Sequence, residues 1–250
     1  GPGKIMSAKD WNDFADAVNS GQDWDLYRWV GNGTVNLGAD INDDEVELKS
    51  VTAEFKYVFD GNGKKITRVC SDPLFETVTG EIKNLILSGA MSGVASLRNG
   101  VMTVLGAPFV GILEGGKVTS CTNEMSVTVG SEEQPVAANI YASGFVASMY
   151  GGTVSFCVNK KPISVYVDAS TDIKPNVAVS GIVADIRNAD VTSYLEDCTN
   201  LKGADITVTP KSSSDNTTGM TWCGVGGITG MFRYPSSLDF YNCDNLADIT

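Results

Sequence analysis

The chain has 250 residues, enough to bury a sizeable core in one elongated domain. Its 30 acidic residues against 18 Lys and Arg leave a net charge of −12, which argues against nucleic acid and anionic membrane as partners and suits an exposed, soluble protein or one that meets cations. The chain has no histidine, which excludes Ser-His-Asp and Cys-His nucleophilic sites and His-ligated zinc or iron.

Taken from the amino end, Gly1-Pro2-Gly3 reads as a cloning remnant ahead of a mature domain, and no apolar stretch is long enough to span a membrane. Ser7 to Gly21 predicts a helix. Ser7 is its cap, with Asp10 three places on, and Gly21 is its stop. Ala8, Trp11, Phe14, Ala15 and Val18 fall on one face, so the helix, with Trp24 and Trp29, is expected to cap an apolar end. Val35, Leu37, Ala39 and Ile41 alternate as a strand. Asp40-Ile41-Asn42-Asp43-Asp44-Glu45 starts like a calcium loop, with Asp40, Asn42 and Asp44 as oxygen donors. Glu45 stands where glycine is needed and Val51 where a bidentate Glu belongs, so a polar turn or at most a weakly bound Ca2+ is expected and no other cofactor. Phe55, Tyr57 and Phe59 alternate before the turn Asp60-Gly61-Asn62-Gly63, and the next strand carries Ile66 and Val69. Residues 1–72 are read as the cap helix and entry strands.

From residue 73 the chain repeats. One element reads Pro108-Phe109-Val110-Gly111, Gly144-Phe145-Val146-Ala147, Gly181-Ile182-Val183-Ala184 and Gly227-Ile228-Thr229-Gly230. A second ends in Cys121, Cys157, Cys198 and Cys243, each followed two places on by Asn123, Asn159, Asn200 and Asn245. A third is Val127-Thr128, Ile163-Ser164, Ile206-Thr207 and Ile249-Thr250, and a degenerate copy opens at Pro73-Leu74-Phe75-Glu76 with Leu85 at the cysteine position. The copies lie 36, 37 and 46 residues apart, from Phe109 to Phe145 to Ile182 to Ile228. Three short β-branched runs per copy, stacked on like neighbours, predict a right-handed parallel β-helix with three strands per coil. Its coils start near residues 73, 108, 144, 181 and 227 and make one continuous domain over 73–250. The cysteines are expected to stack as small buried hydrophobes and the asparagines as an amide ladder. With no Cys-x-x-Cys pair, a metal or redox site is disfavoured.

This pattern resembles the GLUG-type repeats of bacterial cell-surface proteins, as do Phe59-Asp60-Gly61-Asn62-Gly63-Lys64-Lys65-Ile66-Thr67 and Ile82-Lys83-Asn84-Leu85 upstream. The likeness covers roughly residues 5–250. The first element uses Phe or Ile in place of the family's Leu, and Phe55-Lys56-Tyr57 stands where the family often has Phe-x-Gly. The resemblance implies display on a bacterial surface and leaves the ligand open.

A glycosidase needs two carboxylates about 5–9.5 Å apart, and acids at equivalent positions of adjacent copies would supply them. Asp185 aligns instead with Ile112, Ser148 and Met231, and Glu196 with Thr119, Ser155 and Tyr241. The connections Gly130–Tyr141, Asp168–Val179 and Thr209–Cys223 are the expected binding face, because long loops on a rigid scaffold carry function. The third offers Trp222, Asp215 and Asn216, with Tyr234 in the next turn, as a sugar-gripping set. The chain is therefore read as a non-catalytic module for adhesion or glycan contact, its partner a polysaccharide or a host or cell-surface protein. The alternatives are a structural stalk and a polysaccharide-degrading enzyme. Since the sequence stops at Thr250 inside a third element, truncation or further repeats are expected.

Overall fold

The structure, a computed structural model, describes residues 2–187, 190–212, 220, 222–233 and 237–250. Helix α1 (Ala8–Ser20) begins where Ser7 Oγ accepts the Asp10 N–H at 3.1 Å, while the Asp10 carboxylate reaches back to the Met6 N–H at 3.0 Å. Gly21, at φ +69°, ends it. The helix buries Trp11, Phe14, Ala15, Ala17 and Val18. Trp11 meets Phe14, Phe59 and Phe75 edge-on, with ring centroids 5.3, 5.6 and 5.9 Å away. Trp29 is buried beneath the Arg28 guanidinium, whereas Trp24 is exposed.

The strands divide among four sheets, two of five strands, one of eight and one of nine. Val110–Glu114, Lys117–Thr119, Thr122–Val129 and Asn139–Ala142 each enter a different sheet, and Val146–Tyr150 then pairs in parallel beside Val110–Glu114. Along the eight-stranded sheet the register sets Ile82, Val118, Val154, Leu195 and Phe240 in one column, and all but Phe240 are buried. Among the described residues two pairs are antiparallel: Val30–Gly31 with Thr34–Asn36, and Ser96–Arg98 with Val101–Gly106.

The step from the eight- to the nine-stranded sheet has a fixed local chemistry. Asn84, Ser120, Phe156, Asp197 and Asn242 all take left-handed backbone, φ between +48° and +53°. Each stands just before Leu85, Cys121, Cys157, Cys198 or Cys243, of which all but Cys243 are buried. The thiols donate to backbone carbonyls, Cys157 to Ser155 O at 3.3 Å for example, and all six cysteines of the chain are free. Two residues on, Asn123 Nδ2 donates to Asn159 Oδ1 at 2.9 Å, Asn159 to Asn200 at 2.8 Å and Asn200 to Asn245 at 2.9 Å. Gly144 lies against this row. A Cβ there would fall 2.8 Å from Asn159 Oδ1 and 2.4 Å from Gly181 O, so the position admits only glycine.

These findings correct the expected right-handed parallel β-helix with three strands per coil. The connections read as loops contain strands, Asn139–Ala142, Asn176–Ser180 and Trp222–Gly226, which join Val101–Gly106 and Ser96–Arg98 in a fourth sheet. Among the described residues antiparallel pairs enter at two places, and the sheets stay open at their edges. The architecture is all-β with several sheets and an amino-terminal helix. No helix among the described residues is long and apolar enough to cross a membrane.

Candidate functional site

The two five-stranded sheets lie so close that small residues line their contact. Ala107, Ala147, Ala178 and Ala184 form, with Leu105 and Tyr141, a second apolar cluster apart from the main core. A Cβ on Gly224 would come within 2.2 Å of Gly230 O, so no larger residue fits that position. Ile112, Trp222 and Met231 pack against the rim of this cluster.

Asp185 sits at that rim. The register places Ser148 beside it on one side and Met231 on the other, so it is a lone carboxylate in an apolar and hydroxyl column. It is 0 % exposed. A buried carboxylate needs a counter-charge, and it has two: Arg233 Nε at 3.0 Å from Oδ1 and Arg187 Nε at 2.5 Å from Oδ2. Backbone bonds fix where these arginines start, from Arg187 N to Met149 O at 2.8 Å and from Arg233 N to Ile186 O at 3.0 Å. Each guanidinium then lies over a ring, Arg187 over Tyr141 at 4.7 Å and Arg233 over Trp222 at 4.8 Å. Arg233 Nη2 also donates to the Tyr141 hydroxyl at 3.4 Å, and the two rings stand 6.3 Å apart.

Burial pushes the Asp185 carboxyl above the ordinary range, against the downward pull of the two guanidiniums. Both carboxylate oxygens face arginine, so Asp185 holds two cations in place rather than offering a base. The arginine side chains remain 23 % and 27 % exposed. The notch thus gathers two part-exposed guanidiniums, each laid over an aromatic ring, around one buried carboxylate, on a chain whose net charge is strongly negative.

Of the residues proposed from sequence, Trp222 belongs to this notch, half-buried. Its ring lies under Arg233, which alters the sugar-stacking role expected of it. Asp215, Asn216 and Tyr234 lie outside the described residues. The calcium-like loop uses its oxygens internally: Asp40 Oδ1 accepts the Lys65 N–H at 2.8 Å and Asn42 Oδ1 the Asp44 N–H at 3.0 Å, with Asp44 exposed. No group of three or more metal-ligating side chains occurs among the described residues. From sequence, Asp185 is weighed only as a possible paired carboxylate, and Tyr141, Arg187 and Arg233 are given no role. The available signal was a charge inside the apolar run Gly181-Ile182-Val183-Ala184-Asp185-Ile186, followed at once by Arg187.

No protein-family model matches the chain, and no curated protein matches it. Its fold is similar to two solved structures. One, from Bacteroides ovatus, carries the provisional name immunoglobulin A1 protease. It aligns with a TM-score of 0.58 at 14 % identity, over 99 % of this chain and 77 % of that one. The other is named IgA1 protease and aligns with a TM-score of 0.54 at 14 % identity, over 98 % of this chain and 20 % of that one. At this identity the likeness speaks to the fold alone. It corrects the β-helix solenoid reading further and gives no support to GLUG repeats or to carbohydrate binding.

Proposed function

We propose that this chain is a non-catalytic recognition module of an extracellular or cell-surface protein, meeting an acidic group of a protein partner at the notch. The observation that carries the reading is the Arg187–Asp185–Arg233 triad laid across Tyr141 and Trp222. A fold does not need two stacked, part-exposed guanidiniums around one buried carboxylate, because an apolar set of similar volume packs as well or better. Arginine and tryptophan are the side chains that dominate binding at protein surfaces. The match to only 20 % of the larger structure supports a module that works within a longer protein.

The test is saturable binding of the labelled protein to epithelial cells, before and after protease treatment of the cell surface. Arg233→Met, which leaves Arg187 on Asp185, is expected to weaken binding about tenfold while the circular dichroism spectrum stays unchanged, and rising salt should weaken the parent more steeply than the variant. Equal binding by parent and variant would remove the notch from recognition. The row of asparagines and the continuous core favour a second reading, a spacer that carries other modules, and absence of cell binding would select it.

A further inference from the structure

A buried cation, Arg68, lies far from the notch along the chain and pairs with no carboxylate among the described residues. Helix α1 holds the segment 47–52 at a fixed distance from the strand Lys65–Cys70. Asn12 bonds Glu47 O and the Lys49 N–H, both at 2.9 Å. Asn19 bonds Ser50 O at 3.1 Å and the Thr52 N–H at 2.8 Å, and Trp11 Nε1 donates to Lys49 O at 2.8 Å. Those amides satisfy the segment's backbone and leave a cleft of about 540 Å³ beneath it. Arg68 lines the cleft and is 2 % exposed.

The guanidinium is poorly served there. Nη2 donates to Asp72 O at 2.7 Å, but Nη1 reaches Leu48 O and Ser50 Oγ only at 3.4 Å, and Nε has no acceptor. Arg68 enters none of the ion pairs among the described residues, although Asp185 draws two. Asp43, Glu47 and Asp72 act on it through space without pairing. The Asp43 carboxylate accepts the Val69 N–H at 2.7 Å, and Asp72 offers its backbone carbonyl. Removing a cation from water without a paired anion costs several kcal/mol. The nearby carboxylates offset part of that cost through space, but none of them reaches the Nε, which stays without an acceptor.

We infer that this cleft binds a small monoanionic carboxylate on Arg68. The ligand would replace the two long Nη1 contacts with charge-assisted hydrogen bonds. Glu47 and Asp72, which line the same cleft, repel a dianion more than a monoanion and so disfavour phosphate.

Cys70 supplies the readout, being half-buried, in the cleft lining and two residues from Arg68 on the same strand. Alkylation of Cys70 is followed by peptide mass spectrometry in sodium acetate, inorganic phosphate or glycerol at constant ionic strength, with exposed Cys223 as the control in the same sample. Acetate at ten times its dissociation constant should slow Cys70 roughly tenfold and leave Cys223 unchanged. Phosphate should protect less, glycerol not at all, and Arg68→Met should abolish the protection. No saturable protection by acetate, or equal protection in Arg68→Met or by glycerol, overturns the proposal and leaves Arg68 a structural residue satisfied by water. If Arg68→Met does not fold, the acetate titration of the parent decides alone, because both cysteines report together.

Discussion

Replacing Asn159 by alanine tests the amide row most directly, because the cost can be worked from three hydrogen bonds. Asn159 is 0 % exposed. It accepts from Asn123 Nδ2 at 2.9 Å and donates to Asn200 Oδ1 at 2.8 Å and to Lys161 O at 3.0 Å. Losing the bonds to Asn123 and Asn200 leaves a buried N–H and a buried Oδ1 without partners, at about 1–3 kcal/mol for each bond lost, while the Lys161 carbonyl, on an exposed residue, turns to water at a net ~1 kcal/mol or less. The other Asn123 N–H is already engaged with Met125 O, so that side chain cannot turn to a new partner without losing the old one. A loss of roughly 3–5 kcal/mol is expected, at the upper end of what single substitutions do. Asn245, the last in the row, is exposed, so water replaces what its removal breaks, and Asn245→Ala should cost only ~1 kcal/mol. Urea unfolding followed by circular dichroism measures both. Equal costs for the two variants, or less than ~1 kcal/mol for Asn159→Ala, would show that the row contributes no more than its members do singly.

Phe156 is 60 % exposed and sits at φ +52°, where its counterparts are Asn84, Ser120, Asp197 and Asn242. Phe156→Asn should therefore raise stability by about 1 kcal/mol in the same urea assay, and a lower midpoint would mean that the ring makes a contact outweighing the backbone strain. Glu124 bonds Lys65 at 2.8 Å, the main reason its carboxyl is held below the ordinary glutamate range, with Lys160 at 3.9 Å adding to the effect. Its folded pKa is the lower one, so the stabilisation is present above the unfolded value and lost as pH falls through the folded one. Glu124→Gln should flatten the acid limb of a stability–pH curve by less than about 1 kcal/mol, the worth of a part-exposed pair, and an unchanged acid limb would contradict the assignment.

The repeating elements could be aligned by eye, and the alignment carries real registers. Pairing Asp185 with Ser148 and Met231, or Glu196 with Ser155 and Tyr241, is what the strands do. The fourth sheet was hidden for a physical reason. Asn176–Ser180 has four buried residues in succession, because one face meets the main core and the other meets the small alanine cluster. A strand covered on both faces shows no alternation, so its residues read as a loop between better-marked elements. Trp222 was found by residue type, as an aromatic near polar neighbours, without a hint of what covers it. The triad was missed because Asp185 has no acid beside it in register, while Arg233 lies 48 residues away and meets it only through the strand pairing.

The notch and the packing of the two sheets have one cause. Alanine and glycine at 178, 184, 224 and 230 let the sheets approach until water is excluded. Exclusion of water makes the Asp185 charge expensive, and a single surface-type pair would not offset it. Two guanidiniums do, but each must be oriented, and the Tyr141 and Trp222 rings supply flat surfaces on which the planar groups rest. Preorganisation of this kind lowers what a partner must spend on ordering side chains when it binds. Arg68 differs from the two arginines of the notch. In the notch a buried carboxylate pairs with two part-exposed guanidiniums, whereas Arg68 lies buried beside a cleft, in no ion pair among the described residues and with no acceptor for its Nε.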